Sequence, residues 1–155
     1  MPRLFLHVAF ACLVAPAAAP AGQVLASDPG ALHDMLQREG FVAELTTDGV
    51  GDPLIDIRYY DTTFQIFFYG CEGGRSCRMI QFYSGYVAGD AVTLEAVNAW
   101  NRDRLYTRAY IDGEGDTALE YEVYLGAGGL AEADFDSVLT HWTESLVAFE
   151  DHIGW

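Results

Sequence analysis

The sequence predicts an α+β domain in which helices pack on an antiparallel sheet, in the order α-β-β-β-β-α-β-β-α. Three observations carry that expectation. Apolar residues recur at helical spacing in three segments, and six short runs alternate or are rich in β-branched and aromatic residues. The first four of those runs are joined by turns too short for a parallel crossover, which argues a meander. A length of 155 residues favours one domain.

The elements follow in chain order. Ser27 and Asp28 stand where a helix cap is needed, with Pro29 in the first turn. Leu32, Met35 and Leu36 make the apolar stripe of this helix, and Gly40 ends it. Residues 41–45 read as a strand, closed by turn signals at Asp48-Gly49 and Gly51-Asp52-Pro53. Leu54 to Tyr60 alternates with Ile55, Ile57 and Tyr59 on one face; Asp61-Thr62 then turns the chain into a strand over 63–69. A fourth strand spans 78–87, and Gly89-Asp90 breaks the sheet. Thr93 is placed to cap a second helix whose Leu94, Val97 and Trp100 should face the sheet. A hairpin of residues 105–111 and 118–125 surrounds Asp112-Gly-Glu-Gly-Asp116. After a glycine-rich break at 126–129, Phe135, Leu139, Trp142, Leu146 and Phe149 share one face of a last helix.

Composition narrows the function. All eight positive charges are Arg, against 23 acids, for a net charge of −15. Without lysine there is no Schiff-base or P-loop chemistry, and the charge argues against nucleic acid and anionic lipid as partners. The first 21 residues read as a secretory signal peptide. Arg3 supplies the positive start, Leu4 to Val14 the apolar stretch, and Ala19-Pro20-Ala21 the cleavage pattern. Cleavage there leaves residues 22–27 as a short N-terminal segment before one domain over 28–155, with no stable membrane insertion. The expected location is the periplasm or the cell exterior. Arg3 and Cys12 leave with the leader, so the charge moves from −15 to −16 and the remaining cysteines, Cys71 and Cys77, form an even pair. In an oxidising compartment their spacing around a Gly-Gly turn favours a disulfide over a zinc half-site, since no second Cys/His pair follows.

Chemical motifs are few. Gly126-Ala-Gly128-Gly-Leu-Ala131 matches a dinucleotide fingerprint, but no second strand with its acidic residue follows, so it reads as a strand-to-helix turn. Asp112, Glu114 and Asp116 resemble the start of a calcium loop; Thr117 and Val123 stand where that loop needs Gly and Glu, so a solvated hairpin tip is expected. No serine elbow and no zinc-type histidine pattern occurs, and His141 reads as an ordinary surface or boundary residue. No catalytic residue, cofactor or metal ligand is therefore assigned. Asn98 and Asn101, bracketing Trp100, are the most unusual cluster because Asn is costly inside a helix. The structural alternative has Asn101 ending the helix and Asn98 bonding to a neighbouring strand.

Val97-Asn98-Ala-Trp100-Asn101, then Arg104 and Arg108-Ala-Tyr110, resembles the YbjN family of bacterial sensory transduction regulators. Phe41, Phe64-Gln-Ile-Phe67, the cysteine pair and Phe149 agree with that pattern. The resemblance implies a fold like that of type III secretion chaperones, which bind partner polypeptides and often pair with themselves, so a homodimer is compatible with it. It carries over no catalytic residues. The leader departs from the pattern of a cytoplasmic regulator. The expectation is a non-enzymatic exported regulatory or chaperone-like module that binds a protein or peptide, with Asn98, Asn101 and Arg104 as candidate partner-binding residues. The rival readings are a small periplasmic carboxylate-based hydrolase and a calcium or small-ligand binder.

Overall fold

Asp28 opens helix α1 (Pro29–Arg38) by accepting a 3.0 Å hydrogen bond from the Ala31 amide, and Gly40 ends it in the left-handed region at φ +91°. The computed structural model describes residues 22–155, so the expected leader lies outside the described residues. Strands β2 (Val42–Thr47), β3 (Pro53–Tyr59), β4 (Thr62–Tyr69) and β5 (Met79–Tyr86) then form the expected antiparallel meander. A single 3-10 turn (Gly89–Ala91) leads to helix α2 (Leu94–Asp103), capped by the Thr93 hydroxyl on the Ala96 amide. Strands β6 (Arg108–Ile111) and β7 (Thr117–Tyr124) make the second hairpin, and helix α3 (Glu132–Ile153) closes the fold.

The main sheet has six strands in the order β2-β3-β4-β5-β7-β6, all antiparallel. Thus β7, not β6, pairs with β5, and β6 is an edge. Two elements were not foreseen. Strand β1 (Gln23–Val24) pairs with β8 (Leu130–Ala131) in a separate two-stranded sheet. Gly129 permits it: at φ +71°, a Cβ there would stand 2.3 Å from the Val24 carbonyl oxygen. The glycine-rich stretch expected as a break is therefore a close backbone crossing.

All three helices cover the same face of the sheet. Phe135, Leu139, Trp142, Leu146 and Phe149 are buried as the α3 stripe predicts, and Trp142 packs on Phe64 and Phe82 at 5.6 and 5.4 Å between ring centres. Leu32, Met35 and Leu36 of α1 and Val97 and Trp100 of α2 join that core. Leu94, expected on the same stripe, is 68% exposed. It occupies the first turn of α2, and burial begins one turn later, at Val97. Cys71 and Cys77 are joined by a disulfide. Among the described residues no helix is long and apolar enough to cross a membrane.

Candidate functional site

Side chains alternate across a strand, so one-sided helix packing leaves the other sheet face to solvent. Following the register, Glu44 of β2 lies opposite Asp56 of β3, Asp56 opposite Gln65 of β4, and Gln65 opposite Tyr83 of β5. Tyr83 in turn lies opposite Glu120 of β7, and Glu120 opposite Arg108 of β6. Phe67, Tyr69, Gln81, Glu122, Tyr124 and Tyr110 share this uncovered face.

Its two halves differ. On the β5-β7-β6 side, polar groups are tied together. Arg108 Nη2 bonds Glu122 Oε1 at 3.1 Å and also bonds Glu120 Oε2. The other Glu120 oxygen accepts from the Tyr110 hydroxyl at 2.7 Å, and Glu120 is only 5% exposed. Gln81 links Glu122 to Tyr69. Charged groups this close are stable only when paired, and here each is. Desolvation by burial, followed by the Glu120 hydrogen bond, raises the Tyr110 hydroxyl well above the usual tyrosine range. Burial first and nearby carboxylates second also raise Tyr69 and Tyr83.

The β2-β5 side is a shallow depression of about 750 Å³ lined by Glu44, Asp56, Arg58, Gln65 and Tyr83, among others. Gly85 gives the Tyr83 ring its place, because a Cβ there would stand 2.9 Å from the Tyr83 hydroxyl oxygen. Gln65 Nε2 donates to Asp56 Oδ1 at 2.7 Å. Neither Glu44 nor Asp56 belongs to an ion pair among the described residues.

The residues singled out from sequence sit elsewhere, Asn98 and Asn101 on α2 and Arg104 at its C-terminal cap. Asn101 Oδ1 accepts from the Ala109 amide at 2.8 Å, and Asn101 Nδ2 donates to the Ala109 carbonyl at 2.9 Å. The strand-bonding role considered for Asn98 thus belongs to Asn101. Asn98 is exposed, with no side-chain hydrogen bond among the described residues. The Arg104 guanidinium lies over the Trp100 ring, 5.0 Å from its centre, and Trp100 Nε1 donates to Thr107 Oγ1 at 3.1 Å. The strand expected from residue 105 starts at Arg108, since Tyr106 sits at φ +71° in a tight turn closed by Thr107 N–H on Leu105 O. Tyr106 stacks on the exposed His141 at 4.9 Å.

The acidic hairpin tip behaves as expected: Asp112 Oδ1 accepts from the Glu114 and Asp116 amides. Among the described residues no cluster of His, Cys, Asp and Glu is arranged to hold a metal. The Arg108–Glu120–Tyr110 set was missed. Its signal was present, since a hairpin symmetric about Glu114 brings residues 108 and 120 opposite each other.

Fold and site together define an α+β sheet domain with one helix-covered face and one aromatic, ion-paired face left open. Residues 28–155 match the model of the YbjN family, described as "Putative bacterial sensory transduction regulator", and the chain belongs to that family. Among curated proteins no relative matches the chain.

Proposed function

We propose that the protein is an exported, non-enzymatic regulatory or chaperone-like module that binds a protein or peptide partner through the uncovered side of its sheet. The uncovered face carries the proposal. Its rings Phe67, Tyr69, Tyr83, Tyr110 and Tyr124 lie among paired polar groups, with Tyr69 38% and Tyr124 70% exposed. Aromatic residues interleaved with Arg and hydrogen-bonding groups are the composition that protein interfaces favour. Membership in a family of regulators supports the reading, and export rests on the leader pattern. Both oxygens of Glu120 are held by Tyr110 and Arg108, so this carboxylate serves to order the aromatic face. Thr117 and Val123, standing where a calcium loop needs Gly and Glu, favour a structural hairpin tip over a calcium loop.

The test is capture in the native compartment. A photo-crosslinking residue at Tyr83 should yield a discrete adduct identified by mass spectrometry from periplasmic extract, whereas the same group at Glu144 on α3 should not. Adducts at Glu144 alone, or none at Tyr83, would reject this face as the binding surface.

A further inference from the structure

We infer that the free edge of β2 accepts an extended, lysine- or arginine-bearing peptide segment as a seventh strand of the sheet. The inference rests on the partner-binding reading above and specifies its mode.

The hydrogen-bond register shows what the edge offers. Asp48 N–H donates to Asp52 O at 2.9 Å across the β2-β3 turn. Bonded pairs alternate along an antiparallel ladder, so Thr46, Glu44 and Val42 bond to β3 while the backbone groups of Ala43, Leu45 and Thr47 point outward. Gln37 confirms the direction, since its Nε2 reaches the Ala43 carbonyl at 3.3 Å from α1. Among the described residues, no other hydrogen bond reaches those outward groups from the side away from β3.

The two edges of the sheet are treated differently. At β6, a four-residue strand, the Asn101 amide occupies both the N–H and the C=O of Ala109 and leaves only the outward groups of Ile111 at the strand's end. Strand β2 has six residues, an unbroken register, and neither Pro nor a basic residue. Those are the devices by which exposed edges are normally blunted. Val42 on the open face and Leu45 on the helix side are 66% and 40% exposed. A second depression of about 370 Å³ lies beside Leu45 and Thr47, against Pro29 of α1, where an apolar side chain of an added strand would fall.

Charge selects the occupant. Glu44 and Asp56 are directly opposed on the open face, and like charges so placed are unfavourable; Arg58, two residues along β3 on the same face, forms no ion pair with either among the described residues. A strand added beside β2 turns every second side chain toward the open face and sets one of them alongside Glu44, where a cation relieves that opposition. A second copy of this chain would bring its own strong net negative charge and its own Glu44 to the same edge, so a basic peptide fits better. The preferred segment therefore alternates basic residues toward the open face with apolar residues toward Leu45.

The test uses a seven-residue peptide alternating Lys and Val, its Glu-Val counterpart, and the Lys-Val peptide N-methylated on alternate amides. Each is titrated into the isotope-labelled protein by NMR. The Lys-Val peptide should give saturable shifts and slowed amide exchange centred on Ala43, Leu45 and Thr47. N-methylation should weaken it roughly tenfold or more, because strand pairing loses its donors. Leu45→Pro removes an outward N–H at an edge position that tolerates proline, and should abolish binding with the melting curve retained. The N-methylated peptide gives the same answer if that variant fails to fold. Equal binding by the Glu-Val peptide would overturn the charge selection, and an unchanged affinity on N-methylation would overturn strand addition. Shifts confined to Tyr83 and Tyr124 would also overturn strand addition while leaving the open-face reading in place. No shift with any peptide, joined to no Tyr83 adduct in periplasmic extract, would overturn both.

Discussion

Replacing Trp100, Asn101 and Asn98 by Ala should rank the three in a fixed order, because each meets a different environment on one short helix. Trp100 is 2% exposed, meets Phe149 edge-on at 5.0 Å and donates its Nε1 to Thr107. Truncating so large a buried ring removes its transfer energy and leaves a cavity, for a loss of roughly 3–5 kcal/mol. In a domain of this size that lowers Tm by roughly 10–15 °C. Asn101→Ala deletes two bonds and strips the Ala109 N–H and C=O of their partner; Asn101 itself is exposed, so water recovers part of the loss. About 1–2 kcal/mol is expected. Asn98 is exposed and unbonded, so Asn98→Ala gains a few tenths of a kcal/mol from helix propensity and leaves Tm unchanged or slightly raised. Urea denaturation followed by far-UV circular dichroism, with slopes compared across the variants, measures all three. If Asn98→Ala costs as much as Asn101→Ala, the assignment of the strand-sealing role to Asn101 is wrong.

Further outcomes follow from other contacts. Alkylation without reductant should leave Cys71 and Cys77 unmodified, and Cys71→Ser with Cys77→Ser should lower stability by about 2 kcal/mol through loop entropy; a labelled thiol in the native protein would refute the bridge. Gly129→Ala combines a positive φ with a clash against Val24 O, so hydrogen exchange at Gln23 and Val24 should accelerate well before α3 is affected. Burial raises the Tyr86 hydroxyl above its ordinary range, outweighing the opposing Ser84 hydroxyl and reinforced by Glu150. Its stabilising contribution is therefore complete below about pH 10, the unfolded value, and is lost as pH rises beyond it. Tyr86→Phe should flatten the alkaline limb of the stability profile; an unaltered limb would show that another group controls it.

The sequence by itself determined what depends on local periodicity. The α3 stripe from Phe135 to Phe149, the Asp28 and Thr93 caps, the meander from β2 to β5 and the Cys71–Cys77 loop were all legible, because each is a relation between residues close along the chain. The tertiary structure decided what depends on distant partners. Whether β6 or β7 would pair with β5, and whether β1 would find β8 across more than a hundred residues, is settled by packing and not by any local pattern. Leu94 shows the same limit, since helical spacing defines a stripe but not where along it the packing begins. Asn98 and Asn101 are the same residue type three positions apart, and only the placement of β6 beside α2 gives one a strand to seal and leaves the other in water. Likewise, Glu44 and Asp56 are ordinary surface acids in sequence. The antiparallel register makes them face each other beside an open edge, because side-chain proximity across a sheet is set by pairing rather than by sequence distance.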